Sequence, residues 1–271
     1  MNGLDYQIGA SIWGFFGRRA SKGWPSLADA ARAVLSLDPS LGVEVWASQA
    51  LEIVEASQEE LAELADVCRS APFVALHIRG AYWGWNPAHL RREIDLAGQL
   101  GAETLVLHPV CLSITRPEDR LDVPEIRRIA GYAAERGVQL ALENMRDSIW
   151  LLDRVLEEIG DNPAKTNLGI CIDVGHAHVS HDAGRESLPN YLERYAAQLL
   201  HLHLHDNRGE SDDHLLPGEG TIDWPRAFRT LDRIGFAGTA VLEVHPSEDV
   251  EVIDGIRAGL EFLRTRAAPL D

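Results

Sequence analysis

The sequence is poor in cysteine, lysine and methionine, and it contains no long apolar run. Its three cysteines, Cys68, Cys111 and Cys171, lie far apart and form no CxxC pair. An odd, scattered set argues against a disulfide framework and points to buried thiols in a reducing compartment. No charge-free stretch approaches the ~18 apolar residues of a membrane span, so no membrane partner is expected. Met1–Asp5 lacks the basic start of a secretory leader, and the expected localisation is cytoplasmic. Lys22 and Lys165 are the two lysines; neither falls at a strand end, which argues against a Schiff-base aldolase. No GxSxG elbow supports a serine hydrolase. With 25 Lys+Arg against 42 Asp+Glu, the formal charge of −17 argues against a nucleic-acid partner.

What is present is a regular alternation. Short β-branched or leucine-rich runs stand at Tyr6–Ile12, Gly42–Trp46, Phe73–Arg79, Thr104–Pro109, Gln139–Asn144, Leu168–Val174, Leu199–Asp206 and Thr239–Pro246. Amphipathic stretches lie between them at Ser26–Leu37, Ser57–Arg69, Pro87–Leu100, Pro124–Arg136, Ser148–Ile159, Leu188–Gln198, Trp224–Ile234 and Val250–Arg264. Ser26, Asn86-Pro87 and Asp223-Trp224-Pro225 read as helix starts, and Gly101, Gly137 and Gly235 as helix ends. Eight strand–helix units imply a parallel sheet, most economically closed as a single (β/α)8 TIM barrel over residues 1–271. An open doubly wound sheet is the alternative, and no GxGxxG after the first strand supports it.

The polar residues gather at one end of these strands. His77, His108, Glu143 and Asp173 close strands three to six, and His203 and Glu243 lie late in strands seven and eight. In a barrel that end carries the active site. Side-chain alternation puts Glu143 on a face with Ala141, Asp173 with Cys171, and His201, His203 and His205 opposite Leu200, Leu202 and Leu204. The leucines and isoleucines are expected under the helices, and the acids and histidines inside the barrel. Singly, each is an ordinary buried residue. Several carboxylates converging on one mouth need a cation between them, and mixed oxygen and nitrogen ligands suit Mn²⁺, Mg²⁺, Co²⁺ or Zn²⁺.

The runs Leu105-Val-Leu-His-Pro109, Leu140-Ala-Leu-Glu-Asn144, Ile172-Asp-Val-Gly-His176, Leu202-His-Leu-His-Asp-Asn207, His214-Leu-Leu-Pro-Gly-Glu-Gly220 and Val241-Leu-Glu-Val244 resemble the xylose isomerase-like barrel superfamily, in its sugar phosphate isomerase/epimerase branch. The resemblance implies one divalent metal held by Glu143, Asp173, His203 and Glu243. It implies that Glu143 and Glu243 also exchange a proton beside a ketose carbonyl, through an enediolate the metal stabilises. It assigns His176 to a substrate hydroxyl and Arg208 to a distal oxygen or phosphate, with His77 and His108 near the substrate. The superfamily also contains the three-zinc endonuclease IV group. Its ligand types recur here at His77, His108, Glu143, Asp173, His176, His203, Asp212, His214 and Glu243, which leaves two or three metals and phosphoester hydrolysis open. The residues after Glu143 and Asp173 depart from the endonuclease pattern.

Trp13, Phe15 and Phe16 follow strand one, Trp46 ends strand two, and Trp83 and Trp85 follow strand three. Their rings are expected to cover the mouth or stack on a sugar. Gly218-Glu-Gly220 is expected to make a tight turn that brings His214 to the mouth, with a phosphate cradle as the weaker reading. The expectation is a metal-dependent isomerase or epimerase acting on a small carbohydrate. A lyase or dehydratase on a keto-sugar or inositol-type substrate, a non-catalytic metal barrel and a homo-oligomer stay open.

Overall fold

The structure, a computed structural model, describes residues 6–16, 26–46, 56–78, 86–116, 118–145, 150–179, 187–245 and 250–266. Eight parallel strands close on themselves in sequence order: β1 (Gln7–Ser11), β2 (Gly42–Trp46), β3 (Val74–His77), β4 (Thr104–Leu107), β5 (Gln139–Glu143), β6 (Leu168–Asp173), β7 (Leu199–Leu204) and β8 (Thr239–Leu242). β8 pairs with β1 through Gln7–Thr239 and Ala10–Leu242, so the described sheet is a barrel and not an open doubly wound sheet. Closure satisfies the edge strands that an open sheet would leave exposed.

The helices form an outer layer: α1 (Leu27–Leu35), α2 (Gln58–Cys68), α3 (Pro87–Leu100), α4 (Val123–Ala134), α5 (Trp150–Ile159), α6 (Pro163–Thr166), α7 (Val174–Val179), α8 (Leu188–Arg194), α9 (Trp224–Ile234) and α10 (Val252–Arg266). The anticipated caps form: Ser26 accepts from Asp29 N–H, Asn86 from Ala88 and His89, and Asp223 from Arg226. α6 and α7 were not anticipated. At four and six residues they are too short to show a helical repeat of apolar positions. β7 and β8 stop short of the expected ends: Asp206 pairs with Leu215 of the following loop, and past β8 the Glu243 N–H still donates to Leu204 O. The ends of the expected third and eighth strands, Arg79 and Pro246, lie outside the described residues.

Leu140, Leu142, Ile170, Ile172, Leu202 and Leu204 face outward into the main apolar core beneath the helices. Leu200 does not follow them. The β6–β7 register shifts between Ile170 and Cys171, so Leu200 is an extra residue that turns inward against Val106, Ala141 and Cys171. This β-bulge changes the alternation and delivers His201 opposite Cys171 and His203 opposite Asp173. The thiols of Cys68, Cys111 and Cys171 are buried and unbridged. Among the described residues no helix is long and apolar enough to cross a membrane.

Candidate metal and acid–base site

The imidazole of His203, fully buried in β7, is the hub of the barrel interior. Its Nδ1 lies 3.3 Å from Glu143 Oε1, 3.3 Å from Glu243 Oε2 and 3.8 Å from Asp173 Oδ2. Its Nε2 lies 3.1 Å from Glu44 Oε2. The strands thus bring together the four anticipated ligands, Glu143, Asp173, His203 and Glu243, around one nitrogen. Glu44 makes a fourth carboxylate around the ring. All four acids are buried, and their ion-pair partners among the described residues are histidines alone.

Electrostatics separate the two glutamates. Burial would raise Glu143, but His108 and His203 beside it hold its carboxyl well below the usual range. Burial dominates at Glu243 and raises it to about 7. Burial opposes protonation of His203, yet the surrounding charges, Glu44, Glu243 and Glu143 among them, lift it well above an ordinary histidine.

Two observations test whether these side chains suit a cation. The first is spacing. Nitrogen and oxygen ligands about 2.0–2.2 Å from a metal lie about 3.0–3.4 Å from one another in octahedral or tetrahedral arrangements. The separations of 3.3 Å around His203 Nδ1 match that better than a charged hydrogen bond of about 2.8 Å. The second is proton bookkeeping. A carbonyl only accepts, so His77 Nδ1 donates to Ile78 O (2.9 Å), His176 Nδ1 to Asn144 O (2.8 Å) and His214 Nδ1 to Glu243 O (2.8 Å). Wherever such a ring is neutral, its opposite nitrogen is then a lone pair; at His176 burial opposes a second proton, but Asp173, Asp212 and Glu143 lift the ring well above an ordinary histidine. His77 Nε2 faces Glu143 Oε2 at 3.2 Å, and His176 and His214 Nε2 face Asp212 Oδ2 at 3.1 and 3.4 Å. Lone pair against carboxylate is repulsive unless a positive charge, proton or metal, stands between. The residues therefore fit a divalent cation of the oxygen- and nitrogen-seeking kind.

Several compact triads form. His77–His108–Glu143, Glu143–Asp173–His176, His77–His203–Glu243, His176–Asp212–His214 and Glu44–His201–His203 each bring three ligand atoms within 4.8 Å of one another. All nine residues named from the endonuclease resemblance therefore enter one connected site.

Short-range packing fixes these groups. Asn144 braces the β5 and β6 ends, accepting from Asp173 N–H at 2.7 Å and donating to Asp173 O at 3.0 Å. His205 Nε2 reaches both oxygens of Asp173, at 2.9 and 3.0 Å. Gly175 leaves the space that the His205 ring occupies; a Cβ there would come within 1.9 Å of it. In the loop between β7 and α9, the buried Asp206 carboxylate accepts from Asn207, Gly218 and Ile222 N–H and from Trp224 Nε1–H. The tight turn falls at residues 216–219, closed by Glu219 N–H to Leu216 O, earlier than the anticipated Gly218-Glu-Gly220, and the Gly218 amide serves this protein carboxylate. Gly220 sits so close that a Cβ would lie 2.2 Å from Asp206 Oδ1. The loop thereby returns His214, at φ +50°, to the mouth, where its ring stacks on His205 at 3.9 Å.

Of the aromatic candidates, Trp13 lies against His214 and His245 (centroids 4.4 and 3.8 Å), and Trp46 against His77 (5.5 Å). Together they wall one side of the mouth. Phe15 and Phe16 join the apolar core instead, since the short 3-10 turn Ile12–Phe16 points them back under the helices. Trp83 and Trp85 lie outside the described residues. Arg208 is exposed on the β7–α9 loop. Glu44 was not anticipated in the site, and His205 was expected inside the barrel without a role. Gly42-Val-Glu-Val-Trp46 carries the same alternation that pointed to Glu143, so the signal for Glu44 was there.

An uncharacterized protein of Mycobacterium leprae is 32% identical over 68% of this chain and 72% of its own length. An inosose dehydratase of Erwinia tasmaniensis is 28% identical over 46% of this chain and 47% of its own. The chain spans about half the length of two other curated relatives, 55% and 47%. A D-tagatose 3-epimerase-like protein shares the fold at TM-score 0.68, with 20% identity over 96% of both chains. A D-allulose 3-epimerase from Methylomonas sp. does so at TM-score 0.70, with 17% identity over 96% of this chain and 98% of that one. The family model of the xylose isomerase-like TIM barrel matches residues 40–266, and the chain belongs to that family.

Proposed function

We propose that the protein is a divalent-metal-dependent isomerase or epimerase of a ketose or related small carbohydrate. The observation that carries this reading is the pair Glu143 and Glu243. They come from the ends of β5 and β8, three strands apart around the barrel, and each has an oxygen 3.3 Å from the same His203 nitrogen. Two carboxylates facing across one centre can remove a proton from the carbon beside a carbonyl and return one from the other side. Glu143, Asp173, His203 and Glu243 would hold the cation, which supplies Lewis-acid polarisation of the carbonyl and its neighbouring hydroxyl. By the family resemblance the buried His176, whose Nε2 faces Asp212 at 3.1 Å, would receive a substrate hydroxyl. Trp13 and Trp46 offer apolar walls that exclude water.

The test is solvent deuterium exchange at the carbon beside the carbonyl across a panel of ketohexoses, with Mn²⁺ supplied. Exchange is expected in the parent and absent in Glu143→Gln and Glu243→Gln. Full exchange in either variant removes that glutamate from the chemistry, and no exchange with any ketose or keto-inositol removes the reading.

One observation favours a second reading, multi-metal phosphoester hydrolysis. The His77–His108–Glu143 and His176–Asp212–His214 triads flank the central one. More than one tightly held metal per chain, with nicking of abasic DNA, would favour it; the charge of −17 weighs against a DNA substrate.

A further inference from the structure

In four rings of the site the same device recurs: one nitrogen is held from behind while the other faces the carboxylates. For His77, His176 and His214 the holder is a backbone carbonyl, of Ile78, Asn144 and Glu243. For His203 it is a charged side chain, Glu44, at 3.1 Å. Glu44 lies in mid-strand on β2, fully buried, with Val43 and Val45 turned outward into the apolar core. The same oxygen stands 3.4 Å from His201 Nε2, while Glu44 Oε1 has no hydrogen-bond partner. Burying a carboxylate there is costly, and among the described residues no Lys or Arg offsets it. Rotating the His203 ring by 180° would set carbon against Glu44 on one edge and against Glu143, Asp173 and Glu243 on the other. Only the observed orientation satisfies both edges.

We propose that Glu44 is the positioning residue of the site: it accepts the Nε2–H of His203, fixes the ring in the tautomer whose Nδ1 lone pair faces Glu143, Asp173 and Glu243, and so sets divalent-cation affinity. This inference rests on the metal reading above. An anionic holder also raises the donor strength of the imidazole more than a carbonyl does, and losing such a partner weakens metal binding about 10- to 100-fold.

The experiment pairs two readouts on the parent, Glu44→Gln and Glu44→Ala. Mn²⁺ binding to the metal-stripped chain is followed by electron paramagnetic resonance. The His203 Nε2 proton is followed by ¹H–¹⁵N NMR without metal, assigned to His203 by its loss in His203→Gln and to Nε2 by that nitrogen's couplings to both ring carbon-bound protons. The dissociation constant is expected to rise about 10- to 100-fold in Glu44→Ala and less in Glu44→Gln, which keeps an acceptor oxygen. The parent is expected to show a low-field Nε2–H resonance that moves upfield in Glu44→Gln and disappears in Glu44→Ala. Glu44→Gln is near-isosteric, so it decides the matter if Glu44→Ala does not fold. Unchanged Mn²⁺ affinity in the variants, or an unmoved His203 resonance, overturns the role of Glu44. A parent chain that binds no Mn²⁺ overturns the metal reading instead, and the resonance alone then decides whether Glu44 holds His203.

Discussion

Replacing Asp206 by alanine tests whether one buried carboxylate fixes the loop that carries Asp212 and His214. Its oxygens accept from Asn207 N–H at 2.9 Å, Gly218 N–H at 2.9 Å, Ile222 N–H at 3.2 Å and Trp224 Nε1–H at 2.8 Å. Gly218 is exposed, so water can replace its bond, but Asn207, Ile222 and Trp224 are buried. Leaving a buried donor unpaired costs about 1–3 kcal/mol. Three such donors, less the relief of no longer burying a charge, give a loss of about 4 kcal/mol. At about 2.1 cal/mol/K per residue, the 271-residue chain unfolds with an entropy of about 0.57 kcal/mol/K, so Tm should fall by about 7 °C. Asp206→Asn keeps one acceptor and should lose about half as much. Differential scanning calorimetry measures both. A fall of less than about 2 °C in Asp206→Ala would show that the loop is held by something else, such as the Asp206–Leu215 backbone bridge, which survives the change.

Divalent cation should stabilise the fold by mass action: at 100 times its dissociation constant, Mn²⁺ contributes about 2.7 kcal/mol, a rise in Tm of about 5 °C. The rise should shrink in Asp173→Asn, and no rise with Mn²⁺, Co²⁺ or Zn²⁺ would count against a metal centre. Gly175→Ala should displace the His205 ring, since its Cβ would lie 1.9 Å from that ring, and should weaken metal binding through Asp173; isothermal titration of Mn²⁺ checks this. Burial pushes the Cys68, Cys111 and Cys171 thiols up to about 12. A thiol reagent at pH 8 should therefore leave the native chain unlabelled and label all three after denaturation, and rapid labelling of the native chain would contradict their burial.

Much of the barrel was legible because its signals are local. The alternation of apolar runs and caps, and the period-2 placement of Glu143, Asp173 and His203, need only neighbouring residues to be read. The same rule applied to β2 would have found Glu44, but one acid in Gly42-Val-Glu-Val-Trp46 looks like any half-exposed strand until the barrel closes over it. Leu200 misled the alternation because a bulge is set by the register between two strands, not by the sequence of either.

The chain by itself determined that eight strands alternate with helices and that acids and histidines crowd one end of them. Only the tertiary structure decided which nitrogen of each imidazole faces which oxygen, that Asp206 and not a phosphate takes the Gly218 amide, and that His203 stands among four carboxylates. Those outcomes depend on separations of about 3 Å between residues up to 159 positions apart. Such distances are fixed by barrel closure and side-chain packing, which no local pattern encodes.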